Sequence, residues 1–193
     1  MNQDFFEDQV FEKSDFTSQP LTKGDYESCR FVSCDFSNSS LSGYSFTECE
    51  FVGCNLSMTQ LDKTAFREVV FKDCKMLGLA FDLCNEFGLS FSFENCILNH
   101  SSFFRRKMKN TSFRNSQLVE VDFTECDLTQ ARFDQCDLSG ALFEFTILEK
   151  ADFRTASNFI IDPDKNRIRK ACFPLSGIRN LLAKYDIVID ESF

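Results

Sequence analysis

The sequence predicts an all-β solenoid, on three observations. A large apolar residue recurs at every fifth position, a small residue stands two places before most of these, and positions twenty apart share their character. The first series runs Phe6, Phe11, Phe16, Leu21, Tyr26, Phe31, Phe36, Leu41, Phe46, Phe51, Leu56, Leu61, Phe66, Phe71, Met76 and Phe81. It slips by two residues and resumes at Phe93, continuing in phase through Leu98, Phe103, Met108 and Phe113 to Phe153. A period of five fits neither the 3.6 residues of a helix nor the two of a strand. A short repeat held over most of a chain is the mark of a solenoid.

The small positions include Cys29, Cys34, Cys49, Cys54, Thr59, Thr64, Cys74, Cys96, Ser101, Thr111, Ser116, Cys126, Ala131, Cys136 and Thr146. The three positions between are mostly charged, hydroxyl or amide residues, as water-facing side chains should be. One large and one small side chain per five residues therefore point inward, and the backbone turns a corner in each repeat. With twenty residues per coil, Phe11, Phe31, Phe51, Phe71, Phe93, Phe113, Phe133 and Phe153 form one column and Cys34, Cys54, Cys74, Cys96, Ser116 and Cys136 another. At a strand spacing of ~4.8 Å the stack makes a rod of roughly 35 to 40 Å.

Motifs such as Cys34-Asp35-Phe36-Ser37-Asn38, Cys126-Asp127-Leu128-Thr129-Gln130 and Cys136-Asp137-Leu138-Ser139-Gly140 resemble those of pentapeptide-repeat proteins over roughly residues 4 to 156. The resemblance implies a right-handed quadrilateral β-helix with four repeats per coil. The expected division is a β-helix over 1–156 and a separate ending over 157–193.

Eight of the ten cysteines, all but Cys84 and Cys172, occupy small inward slots, where Cys packs as a compact hydrophobe. No Cys-x-x-Cys pair accompanies the single histidine, so neither a zinc site nor a cofactor is expected. Free buried thiols point to a reducing compartment, and the acidic amino terminus has no signal-peptide pattern. A cytoplasmic protein without a membrane span is the expectation.

The period breaks between Phe81 and Phe93, where residues 82–92 hold two more than two repeats need. The excess must bulge outward, with Phe87 or Leu89 filling the vacated inward slot. One coil on comes the run Phe104-Arg105-Arg106-Lys107-Met108-Lys109, with Arg106 at a position otherwise kept small. A buried unpaired guanidinium is costly. Leu83, Phe87, Phe104, Arg105, Arg106, Lys107 and Lys109 thus form a candidate partner-binding corner, since irregularity in a regular sequence is where function is expected.

After Phe153, Asn158 to Ile168 reads as two extended segments around a Pro163-Asp164-Lys165-Asn166 turn. A helix is expected over about 176–184, with Leu175, Ile178, Leu181, Leu182 and Tyr185 on one face, followed by the apolar Ile187, Val188 and Ile189. A solenoid's last coil needs covering. The ending is similar to that of quinolone-resistance Qnr proteins and of immunity proteins against gyrase-targeting microcins. That likeness implies a homodimer formed through Ile178, Leu181, Leu182, Tyr185, Ile187, Val188 and Ile189.

No catalytic constellation is legible. His100 stands alone at an outward position, no nucleophile elbow or phosphate-binding glycine loop occurs, and a convex rod lacks the cleft that catalysis needs. The net charge of −9 has the wrong sign for binding nucleic acid directly. Acids at outward positions include Asp15, Asp35, Glu50, Glu120, Asp122, Glu125, Asp127, Asp134, Asp137, Glu144 and Asp152. A narrow negative rod suggests a mimic of duplex DNA. The resemblance implies a type II topoisomerase, DNA gyrase or topoisomerase IV, as its partner. The alternative is a scaffold for an unrelated cytoplasmic protein, its acidity serving only solubility.

Overall fold

A computed structural model describes residues 4–185, 187, 188 and 190. Their strands are short, parallel and stacked coil on coil. One sheet takes β1 (Asp4–Glu7), β3 (Gly24–Glu27), β5 (Ser45–Thr47) and β7 (Ala65–Arg67), in that order. The second takes β2 (Val10–Glu12), β4 (Arg30–Val32), β6 (Glu50–Val52), β8 (Val69–Lys72), β9 (Phe91–Glu94), β10 (Ser112–Arg114) and β11 (Arg132–Asp134). These are the first and second sides of a four-sided rod. The third and fourth sides are held by single parallel bridges, such as Asp35 to Asn55 and Ser102 to Asp122.

Register is twenty residues per coil, as in the pairing of Phe31 with Phe51. Across the insertion it becomes twenty-two, with Phe71 opposite Phe93. The rings of Phe11, Phe31, Phe51, Phe71, Phe93, Phe113, Phe133 and Phe153 stack face to face at 4.7–5.4 Å. The adjoining column of Phe81, Phe103, Phe123 and Phe143 stacks at 4.5–5.4 Å. The two columns meet edge to face, as in the pair Phe113 and Phe123 at 5.8 Å. Offset stacks and edge-to-face contacts are the favoured aromatic geometries, so one ring packing satisfies both the axis and the cross-section.

Corners form because the second residue after each large side chain takes a left-handed backbone conformation. Glu48, Lys63, Asn95, Glu125 and Gln135 all have φ between 53 and 57°. Such values are uncommon outside glycine and are held here by the coils on either side. Asp residues before the large side chain brace these corners: the side chains of Asp35, Asp122, Asp127, Asp137 and Asp152 each accept the backbone N–H two residues on, at 2.8–3.1 Å.

Small slots do more than admit a neighbour. The Thr146 hydroxyl donates to the Phe123 carbonyl at 2.8 Å, Thr64 to Leu41 at 2.8 Å, Cys54 to Phe31 at 3.3 Å and Cys126 to Phe103 at 2.8 Å. Each bond reaches back twenty-three residues to the coil below. Ser101 donates to Met76 over twenty-five, the same step lengthened by the insertion. The slot therefore asks for a donor as well as small size, which explains the preference for Cys, Ser and Thr over Ala. Cys84, unassigned by period, is buried in the slot of the interrupted repeat. Burial pushes the Cys49, Cys126 and Cys136 thiols up to about 12.

The solenoid extends past residue 156. In place of a hairpin over 158–168, parallel bridges join Ile147 to Arg167 and Asp152 to Cys172, and Phe173 stacks on Phe153 at 5.2 Å. Phe159 and Ile161 are buried as core residues, and Asn166 takes the small slot, donating to the Phe143 carbonyl at 2.7 Å. Alternation around a Pro-Asp turn looks like a hairpin in sequence. Here the turn is a corner of the last coil, because the growing end supplies a parallel partner for each segment.

Helical structure follows as a 3-10 turn at Leu175–Gly177, α1 at Ile178–Leu181 and a second 3-10 turn at Ala183–Tyr185. A Cβ at Gly177 would lie 2.5 Å from the Phe159 ring, so glycine lets this segment rest on the last coil. Replacing Thr146 by Val should cost about 1–3 kcal/mol, because the Phe123 carbonyl loses its buried donor. The outward Thr47→Val should stay within about 0.5 kcal/mol. Denaturant unfolding of both variants measures the difference.

Candidate partner-binding surface

The insertion lies on the first side, where the column Phe6, Tyr26, Phe46, Phe66 resumes as Met108, Leu128 and Leu148. Neither residue predicted to fill the vacated slot does so fully. Phe87 is 77% exposed and Leu89 packs half-buried against the core. Phe91, only 6% exposed, turns inward from a slot that holds Cys29, Cys49 and Val69 in the coils below. Its ring reaches Phe81 at 5.4 Å and Phe103 at 5.9 Å. A large ring at a small position fills the space left by the missing large residue. The signal was Phe91-Ser92-Phe93, the one place with Phe at both inward positions of a repeat.

Arg106 occupies the small slot directly above Cys84. Its side chain is 16% exposed, and its guanidinium donates to the Cys84 carbonyl at 3.5 Å and the Phe104 carbonyl at 3.4 Å, with Glu86 of the bulge at 4.0 Å. The outward detour of 85–90 leaves carbonyls without a ladder partner and opens the exit that the guanidinium uses. The two irregularities are thus one device, in which the bulge makes room and Arg106 satisfies what the bulge exposes.

Other predicted corner residues surround this device without converging on a cleft. Lys107 forms the wall of a shallow notch with Glu86, Phe87, Gly88 and Leu89. Lys109 pairs with Asp127 at 3.2 Å. On the neighbouring fourth side, Arg105 lies 4.6 Å over the Phe104 ring and grips Glu125 at 2.8 and 3.1 Å. The hydrogen bonds from Arg105 hold the Glu125 carboxyl below the usual carboxylate range. Leu83 is half-exposed at the same corner. Sequence reasoning missed Leu142, which with the exposed Phe145 extends this fourth side towards the carboxyl end.

At the carboxyl end the expected apolar stripe divides. Leu181 is buried and Leu182 half-buried, whereas Ile178 and Tyr185 are exposed and Leu175 is 91% exposed. Lys184 bridges Asp162 and Asp164, and the Tyr185 hydroxyl donates to Asp164 at 3.1 Å, so this end is tied to its own last coil. The hydrogen bonds from Lys184 lower both carboxyl pKa values. Ile187 and Val188 are exposed, and Ile189 lies outside the described residues.

Many outward acids have local work. Glu50 pairs with Arg30 at 2.7 Å, Glu144 with Lys165 at 2.8 Å and Asp152 with Arg154 at 2.6 Å, while Glu120 faces His100 at 3.1 Å. Among the described residues no group of three or more His, Cys, Asp or Glu could hold a metal ion. No helix among them is long and apolar enough to cross a membrane.

Comparisons with known proteins agree with this architecture. Two family models match, a pentapeptide-repeat region over residues 81–153 and pentapeptide repeats in eight copies over residues 29–67. The chain belongs to the pentapeptide-repeat family. Among solved structures it is similar to two trypsin-treated forms of QnrB1, described as a plasmid-mediated fluoroquinolone resistance protein. TM-scores are 0.62 and 0.61 at 14% identity, covering 97% and 98% of this chain and 100% of QnrB1. A weaker likeness, TM-score 0.41 at 15% identity, is to HetL of the cyanobacterium Nostoc sp. strain PCC 7120, over 91% of this chain and 90% of that one. No curated protein matches at the sequence level.

If Arg106 serves the bulge, Arg106→Ala should cost about 1–3 kcal/mol through its orphaned carbonyls. Arg105→Ala, which loses an exposed pair, should cost under about 1 kcal/mol. Thermal unfolding of the two variants side by side measures the contrast.

Proposed function

We propose that this chain is a non-enzymatic binding protein of the cytoplasm whose partner is a type II topoisomerase, DNA gyrase or topoisomerase IV. The observation that carries the reading is the shape and charge of the molecule. It is a four-sided stack with a net charge of −9 and a convex exterior, suited to a long groove that ordinarily receives a polyanion. The partner class is suggested by likeness along the whole rod to QnrB1, a fluoroquinolone resistance protein. Nine buried free thiols support a reducing compartment.

Charge is carried unevenly. On the third side Asp15, Asp35, Glu120 and Asp137 lie outward with Lys75 as the only Lys or Arg among the described residues, which makes it the side best suited to a DNA-binding groove. The second side interleaves cations and acids, as in Arg30 with Glu50 and Lys72 with Glu94 at 3.6 Å. That interleaving favours the second reading, a scaffold for a different cytoplasmic protein. The corner at Leu83, Phe104 and Arg105, with its exposed apolar and cationic groups, would then be the contact.

Supercoiling by purified gyrase, titrated with this protein with and without a quinolone, separates the two. The topoisomerase reading expects inhibition of supercoiling or relief of the quinolone block, weakened by Glu120→Lys, a third-side change at a carboxylate that braces no corner. Neither effect at roughly tens of micromolar, an affinity too weak to matter in a cell, would leave the scaffold reading.

A further inference from the structure

On the second and fourth sides opposite charges sit one coil apart and pair, as Arg30 does with Glu50 and Arg105 with Glu125. On the first side they are segregated. Below the bulge, Glu7, Asp8, Asp25, Glu27, Glu48 and Glu68 face outward and have no cationic partner among the described residues. Above it, Lys107, Lys150, Arg169 and Lys170 are exposed and likewise without an acidic partner among them. The exceptions are tied locally: Arg67 donates to Ser45 at 2.9 Å, Asp127 pairs with Lys109 and Glu149 with Arg167 at 2.6 Å.

The bulge divides this side evenly. Repeats centred on Phe6, Tyr26, Phe46 and Phe66 lie on one flank, and those centred on Met108, Leu128, Leu148 and Ile168 on the other. Between them stands Phe87, 77% exposed, beside Gly88, whose φ of 70° turns the chain outward. A two-fold axis through Phe87 would set the coil of Glu7 and Asp8 against that of Arg169 and Lys170. It would likewise set the coil of Asp25 and Glu27 against that of Lys150.

We propose that the first side is a self-complementary surface for a second copy of this chain, packed antiparallel about that axis with the two Phe87 rings at its centre. A two-fold contact needs a patch that matches itself after rotation. Opposite charge at the two ends with an aromatic residue in the middle meets that need, and a buried central aromatic is the usual energetic anchor of an interface. This surface is distinct from the third side assigned to the topoisomerase and from the carboxyl-terminal end, so it stands or falls separately from the proposed function.

Sedimentation of the full chain over a range of ionic strength tests it. A dimer is expected in low salt that dissociates as the Debye length falls from ~30 Å at ~0.01 M to ~3 Å at ~1 M. Lys150→Glu with Lys170→Glu should give a monomer in low salt, and so should Glu7→Lys with Glu27→Lys. An equimolar mixture of the two variants should regain the dimer. In a Cys172→Ser background, Phe87→Cys should cross-link to itself on oxidation. A monomer at every salt concentration would overturn the proposal. So would a dimer unmoved by salt and charge reversal but abolished by Leu175→Asp and Val188→Asp, which would place the contact at the carboxyl-terminal end.

Discussion

Everything in this protein depends on the contact between one coil and the next. Large inward side chains lie on their counterparts one coil earlier, and small-slot donors such as Cys54 and Thr146 reach carbonyls twenty-three residues earlier. Neither contact exists within a coil, so no coil is stable alone and stability accrues coil by coil along the rod. The same contacts hold the left-handed corners, which would be unfavourable for residues such as Glu48 and Lys63 in an isolated chain.

That constraint decides how the molecule tolerates irregularity. The two extra residues at 85–90 cannot enter the core, so they leave the ladder, and two substitutions repair the loss. Phe91 fills the vacated volume and Arg106 supplies donors for the exposed carbonyls. The carboxyl end follows the same logic. Phe159 stands one place out of the five-residue phase and Ile161 and Asn166 at its small slots, and together they meet its demands of apolar fill and a donor to the coil below.

The regular part of the fold was legible in the sequence because period and register are the same quantity. Phe31, Phe51 and Phe71 are spaced by one coil in the chain and by one ring stack in space. What escaped the sequence was how space is refilled where the phase slips. Phe87 and Phe91 are equally apolar, and only the backbone path shows that one points to solvent and the other to the core. Asn158 to Ile168 misled for a related reason, since its alternation suits a hairpin as well as a coil, and only the neighbouring coil selects the latter. The candidate corner was legible as an anomaly. Its chemistry was not, since Arg106 proves to be part of the framework while Arg105, one residue away, lies on the surface.

The central claim is that a register of twenty residues, and not apolar content, specifies this fold. Excising residues 30–49 removes one coil and joins Cys29 to Glu50 in phase; excising 30–47 removes fewer residues but makes the register across the junction twenty-two, where no counterpart of Phe91 or Arg106 repairs the slip. Circular dichroism and thermal unfolding of the two shortened chains test the claim. The account predicts a cooperative β-rich rod from the first deletion and, from the second, a rod of markedly lower melting temperature. Equal stability in the two would contradict it.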